Sequence, residues 1–247
     1  MSFQIIILAG GKGSRIKSVI GETPKLLALV KNKPFLDWLL LWIKSWDIEI
    51  NKKIIISTCI GHTKISNYCK KMNYPTECIN EISPLGTFGA IANVSSKYNS
   101  KNYIVINGDT IFKANFKKIS NNYLSIKKKI PLILLKENIN NSRYGGYKRS
   151  KNGWLFSLKK SKYISLGAFF ISHEEIKERW INLTSKPFKN EIINQKTNEE
   201  LMIDKDCFGN NPISAEILSS EIPFIDIGIP SDYNRAQILI PQIMQNI

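Results

Sequence analysis

A continuous apolar run, Phe3 to Leu8, ends in Ala9-Gly10-Gly11-Lys12-Gly13-Ser14-Arg15, and Thr23-Pro24-Lys25 comes shortly after. A short run without polar alternation reads as a strand buried on both faces, the kind found in parallel sheets covered by helices. Small residues at its end let backbone N–H groups curl round an anion, and Lys12, Arg15 and Lys25 bring positive charge to the same place. The expected ligand is a nucleoside triphosphate. The spacing is not that of a P-loop, which needs Gly, four residues and Gly-Lys-Ser/Thr. It is not a dinucleotide fingerprint either, which needs G-x-G-x-x-G with an acidic residue about 20 positions on. Taken alone, the glycines also fit a simple turn after a strand.

The remaining periodicities give an α/β alternation. Pro34 can open a helix in which Phe35, Leu36, Leu39, Leu40 and Ile43 recur at helical spacing. Lys53 to Thr58 reads as a second strand, His62 to Met72 as a helix, Tyr74 to Ile82 as extended, Ala90 to Tyr98 as a helix and Tyr103 to Asn107 as a buried strand. In open sheets of this kind ligands bind beyond the carboxyl ends of the strands, where Gly10, Glu81 and Asp109 would gather. Between 130 and 171 the character changes to strands, at Ile130 to Leu135, Tyr147 to Arg149, Trp154 to Leu158 and Ile164 to Ile171. Helices near His173 to Ile181 and Ser231 to Met244 frame a late strand, Ile222 to Ile227, that carries Asp226. Trp38, Trp42 and Trp46 share one helical face and are expected in a core or interface.

Asp109 and Asp226 are the candidate metal ligands, because two distant carboxylates can converge on one Mg²⁺ that keeps waters and accepts phosphate oxygens. A turn-forming Gly-Asp-Thr and an ordinary polar strand residue are the plain alternatives. Glu81, near a strand end, is a carboxylate that when ionised only accepts hydrogen bonds; such a group facing a base suits guanine, with adjacent donors at N1 and N2, and opposes uracil and thymine. Cytosine stays open, as does a solvated charge at a strand end.

Four motifs occur in order from about residue 3 to residue 235: Gly10-Gly11-x-Gly13-Ser14-Arg15 with Pro24-Lys25; Pro84-Leu85-Gly86-Thr87-x-Gly89-Ala90; Asn107-Gly108-Asp109; and Phe224-Ile225-Asp226-Ile227-Gly228. Together they resemble the sugar-1-phosphate nucleotidyltransferases, or NDP-sugar pyrophosphorylases. The resemblance implies one Rossmann-like α/β domain, a mixed and mostly parallel sheet flanked by helices, with a nucleotide-binding half at about 1–125 and a sugar-binding half at about 126–247. It implies that Arg15 grips the β and γ phosphates and Lys25 bridges the α-phosphate and the sugar phosphate as catalytic residues. Leu8, Ala9, Gly10, Gly11, Gly13, Ser14, Glu81, Pro84, Gly86, Thr87 and Asp109 would bind the nucleotide, with Glu81, three residues before Pro84, standing where the family places its base-recognition side chain, and Asp109 with Asp226 would hold Mg²⁺.

Within the family the likeness is to the branch acting on D-glycero-D-manno-heptose 1-phosphate. It rests on Lys17-Ser18-Val19-Ile20, Lys33-Pro34-Phe35-Leu36, Arg143-Tyr144-Gly145 and the segment Phe224 to Tyr233, and it implies GTP and a heptose 1-phosphate as substrates for surface polysaccharide precursors. Gly145, Lys160, Ser165 and Gly167 are then the expected sugar-phosphate contacts, with Lys159 and Lys162 as alternatives for the lysine. Phe156-Ser157-Leu158-Lys159 stands where relatives carry Phe-x-Glu-Lys, so the same chemistry with CTP, UTP or dTTP and a hexose 1-phosphate, or nucleotide-sugar binding without turnover, remains open.

Composition limits the other classes. The 247 residues, 43% hydrophobic, suffice for one sizeable core. A formal charge of +15 raises nucleic acid as a partner, but the lysines are scattered and no recognition motif accompanies them, so a solvated face is expected and no nucleic acid. Four cysteines without C-x-x-C spacing and two histidines argue against zinc and for reduced thiols in the cytoplasm. The most apolar run, Phe35 to Trp46, is broken by Asp37 and Lys44 and is too short to span a membrane.

Overall fold

The computed structural model describes residues 2–127, 130–137, 146–157, 161–188, 200–208 and 213–245. The expected sugar contacts Gly145 and Lys160 lie outside the described residues.

In chain order the elements are β1 (Gln4–Ala9), α1 (Lys17–Ile20), β2 (Leu29–Val30), β3 (Lys33–Pro34), α2 (Phe35–Lys44), β4 (Ile54–Thr58), α3 (His62–Lys71), β5 (Thr76–Asn80), α4 (Gly86–Lys97), β6 (Asn102–Asn107), β7 (Thr110–Phe112) and α5 (Phe116–Ser125). They continue with β8 (Leu132–Glu137), β9 (Gly146–Ser150), β10 (Gly153–Ser157), β11 (Tyr163–Ser172), α6 (His173–Thr184), β12 (Ser214–Leu218), β13 (Phe224–Asp226) and α7 (Pro230–Gln245). The main sheet runs β10-β9-β11-β6-β1-β4-β5, with β8 on β11 and β12 on β8. Strands β6, β1, β4 and β5 are parallel, in register Ile7 with Ile56 and Ile106, and β11 joins β6 antiparallel. This is the mixed, mostly parallel sheet the sequence predicted.

The run of isoleucines in β1 results from burial on both faces. Ile5 and Ile7 belong to one core and Ile6 to the other, and none is more than 1% exposed. The first core packs α2, α5 and α7 on the sheet. Trp42 and Trp46 lie inside it, Trp46 stacked on Phe116 at 3.8 Å and the Trp42 indole N–H bonded to the Phe112 carbonyl at 2.8 Å. Trp38, half-buried against that core, donates to Val30 O at 2.9 Å, so the three tryptophans all pack on this core. The second core packs α4 and α6, with Phe88, Ile91, Ile176 and Trp180 fully buried.

Six elements have no counterpart in the sequence reading: the short α1, β2, β3 and β7, and the longer α5 and β12. Helix α5 is rich in Asn, Ser and Lys and weak in intrinsic propensity. It is held by the Asn115 side chain, which caps the Lys118 N–H at 2.9 Å, and by burial of Phe116, Ile119, Ser120 and Tyr123 along one face. Strand β12 exists through its pairing with β8. Helix α4 begins at Gly86, four residues before the predicted Ala90, because the carbonyl of Leu201 accepts the N–H groups of Phe88 and Gly89 at 2.8 and 3.4 Å and completes the first turn.

Candidate active site

The carboxyl ends of β1, β4, β5 and β6 open onto a cleft of about 1020 Å³. The loop Gly10–Ser14 forms one wall, Pro24-Lys25 a second, Gly61-His62 a third, and Asn107-Gly108-Asp109 closes the end near β6. Lys12 also lines it. Leu8 accepts the Gly108 N–H at 2.9 Å, tying the two strand ends together. Gly61 has φ 81°, and a Cβ there would lie 2.5 Å from Pro24 Cγ, so only glycine lets the end of β4 press against the Pro24-Lys25 turn.

That turn aims Lys25. Its neighbour Leu26 is buried, and the Lys25 ammonium forms an ion pair with the Asp109 carboxylate, each side chain about one fifth (21%) exposed. Lys25 is therefore no free surface lysine. The strand that carries Asp226 lies beside the segment that carries Asp109. Strand β13 runs antiparallel to β7 with Asp226 opposite Thr110, and the Ile227 N–H donates to the Asp109 carbonyl at 2.9 Å. Asp226 Oδ1 accepts the Gly228 N–H at 2.7 Å. The pair offers only oxygen donors, and no group of three or more His, Cys, Asp or Glu that could hold a metal occurs among the described residues. Such a set fits Mg²⁺, which takes one or two carboxylates and completes its octahedron with water and phosphate oxygens.

The part of the cleft beyond β5 is built around Glu81. Its N–H is bonded to Thr58 O at 2.7 Å, Ser57 Oγ donates to Oε1 at 2.8 Å and the Leu85 N–H to Oε2 at 3.3 Å. The residue is 5% exposed, and a Cβ on Gly10 would sit 3.3 Å from both carboxylate oxygens. A solvated charge is ruled out. Burial pushes the carboxyl above its ordinary pKa, the Ser57 and Leu85 bonds pull it back, and the nearby Glu200 charge adds to the rise.

Pro84, Gly86 and Thr87 line the cleft as well, though the Thr87 hydroxyl accepts the Ile203 N–H at 2.8 Å. Leu8, Ala9, Gly10, Gly11, Gly13, Ser14, Lys25 and Asp109 all reach it, whereas Arg15, Asp226, Ser165 and Gly167 are not among its lining residues. Arg15 is exposed because its one-turn helix, Ser14–Ile16, buries Ile16 instead. Ser165 Oγ accepts the Gly167 N–H at 3.0 Å on an irregular stretch of β11. Gly167 has φ 70° and lies so close to Asn107 that a Cβ would stand 2.6 Å from its Nδ2, so it backs the Asn107 that does line the cleft.

Sequence reasoning missed Cys59, Gly61, His62, Glu200 and Met202 in these walls. His62 Nδ1 is 2.8 Å from Thr58 Oγ1, and burial pushes the Cys59 thiol up, helped by Glu81 and Glu200 and opposed by Lys12. The strand-end rule that selected Gly10 and Asp109 applies equally to Cys59-Ile60-Gly61-His62, directly after β4. Glu200 carries no local signal.

The family model described as nucleotidyl transferase matches residues 4–236. The chain is 33% identical over 243 residues to the D-glycero-alpha-D-manno-heptose 1-phosphate guanylyltransferase of Aneurinibacillus thermoaerophilus, covering 95% of this chain and 96% of the relative. It is 29% identical over 241 residues to the protein of the same name from Campylobacter jejuni, covering 93% and 96%. Among solved structures, HddC from Yersinia pseudotuberculosis superposes with a TM-score of 0.74 at 27% identity, covering 95% of this chain and 98% of that one. The same protein has been solved complexed with GMP-PN, with a TM-score of 0.73.

Proposed function

Since the chain belongs to the nucleotidyl transferase family over nearly its whole length, we propose that it transfers the guanylyl group of GTP to D-glycero-α-D-manno-heptose 1-phosphate, releasing pyrophosphate and forming a GDP-heptose. The relatives named for this reaction align end to end with it. The observation that carries the choice of base is the Glu81 carboxylate, buried against Gly10 and fixed by Ser57 and the Leu85 N–H. An ionised acceptor there takes the N1–H and one N2–H of guanine together and is repelled by the carbonyls of uracil.

In the reaction an oxygen of the sugar phosphate attacks the α-phosphorus, the bond from that phosphorus to the bridging oxygen breaks, and the electron pair leaves with pyrophosphate. No protein nucleophile is needed; the work is to bring two anions together in line and to neutralise their charge. The backbone of Gly10 to Ser14 receives the triphosphate, and Lys12 and Lys25 supply positive charge on its flanks. Lys25, already turned toward Asp109, is the residue assigned to the α-phosphate and the incoming sugar phosphate. Arg15 is assigned to the β and γ phosphates, which its exposed side chain meets by swinging over the loop.

Asp109 and Asp226 are the residues that would hold Mg²⁺, which when bound withdraws charge from phosphate oxygens. The residues up to about 125 then chiefly serve the nucleotide and those from about 126 chiefly the sugar, with Ser165, Gly167, Gly145 and Lys160 assigned to the sugar phosphate side. Among the described residues no helix is long and apolar enough to cross a membrane. The four free cysteines and the nucleotide substrate support the cytoplasm as the place of action. Pyrophosphate release with GTP, Mg²⁺ and a panel of sugar 1-phosphates tests the reading. Turnover strongest with the heptose supports it, and no turnover with any sugar refutes it.

A further inference from the structure

Glu200 stands on the wall of the same cleft as Gly10, Cys59 and Glu81, on a segment that no sequence motif marks. Its backbone position is fixed by Leu201 and Ile203 after it. The Leu201 N–H donates to Leu85 O at 3.0 Å, the Leu201 carbonyl accepts from Phe88 and Gly89, and the Ile203 N–H reaches the Thr87 hydroxyl at 2.8 Å. Gly86 lies under Leu201 so closely that a Cβ would stand 2.5 Å from Leu201 O. The segment is therefore clamped to the start of α4, which also carries the Pro84-to-Thr87 wall.

We propose that Glu200 is a second reader of the base, accepting the 2-amino hydrogen of guanine that Glu81 leaves over. This role rests on guanylyl transfer being the reaction. Guanine presents three donor hydrogens on two neighbouring atoms, one on N1 and two on N2. A single carboxylate takes the N1–H and the nearer N2–H in a two-point contact and has no geometry for the third. Two carboxylates facing one pocket repel each other, and the Glu200 charge does bear on Glu81. A donor-rich edge placed between them relieves that repulsion. Adenine, cytosine and uracil have no such run of donors, so the pair rejects them as well as welcoming guanine.

Inosine triphosphate keeps the N1–H and O6 of GTP and lacks only the 2-amino group, which separates the two carboxylates. We expect wild-type enzyme to prefer GTP to ITP in kcat/KM with the same sugar phosphate and Mg²⁺. Glu200→Ala lowers kcat/KM for GTP roughly tenfold or more and does not lower it for ITP, which lacks the hydrogen that Glu200 accepts, with Glu200→Gln in between. Glu81→Gln lowers both nucleotides, since both carry the N1–H. Equal losses for GTP and ITP in Glu200→Ala place Glu200 on the ribose or the phosphates and overturn the proposal, as does no loss for either. Turnover by wild type with CTP or UTP but with neither GTP nor ITP is a different result, which overturns guanylyl transfer itself. Glu200 is exposed, and an unchanged melting temperature in both variants shows that the comparison concerns recognition.

Discussion

The Lys25 ammonium is ion-paired with the Asp109 carboxylate across the cleft, joining the turn after the first loop to the end of β6. The pair holds a cation between two expected phosphate positions while keeping it off the bulk solvent, and it makes Lys25 a fixed charge where a flexible one would be expected.

Lys25→Met is expected to lower kcat/KM by at least about 100-fold. Lys25→Arg restores only part of it, because a planar fork does not reproduce a point charge between two phosphates. The partly exposed pair contributes about 1 kcal/mol to folding, so melting monitored by circular dichroism should shift by only a few degrees.

The two aspartates lie on one ladder, with Asp226 opposite Thr110 and Ile227 bonded to Asp109, and should act as one unit. Asp109→Asn and Asp226→Asn are each expected to reduce kcat by about 1000-fold or more. The double variant should be hardly worse than either single one, which is the signature of groups that share a ligand. EDTA should abolish wild-type turnover and added Mg²⁺ restore it.

If GTP is read as proposed, Glu81 is expected to set the acid side of the pH profile. Its pKa lies above the ordinary 4.5 because it is buried. A carboxyl whose folded pKa is raised contributes most to stability below its unfolded value and loses that contribution as pH rises through the folded one. Base reading runs the other way, since only the ionised form accepts both guanine donors. The kcat/KM for GTP should therefore fall on acidification with an inflection above 4.5. Glu81→Gln should lose both this limb and the preference for GTP, as a pH series with two nucleotides will show.

Gly167→Ala tests the support behind Asn107. The backbone is left-handed at φ 70° and the new methyl would meet Asn107 Nδ2 at 2.6 Å, so a loss of about 1–3 kcal/mol is expected from strain and clash together. Thermal melting reads the stability, and a rise in KM at constant protein concentration reads the displacement of Asn107 from the cleft wall.

The parts of this molecule that were legible in its sequence are those whose cause is local. Ile5, Ile6 and Ile7 announce a strand buried on both faces, and the strand-end rule puts Gly10 to Ser14, Glu81 and Asp109 together in the cleft that they line. The tryptophans of α2 fall on the core face that their spacing marks. What stayed hidden depends on contacts between distant segments. Helix α5 is stabilised by its Asn115 cap and its packing in spite of poor intrinsic propensity, β12 exists only beside β8, and α4 starts early because Leu201 caps it. Glu200 enters the cleft for the same reason: the chain returns to α4 far downstream, and nothing in the residues around 200 says where it lands.

Product identification from a mixture of all four nucleoside triphosphates in equal amounts, with heptose 1-phosphate and Mg²⁺, tests the central reading most directly. Mass spectrometry should find GDP-heptose as the dominant sugar nucleotide, together with pyrophosphate. A dominant product carrying another base, or no sugar nucleotide at all, would contradict it.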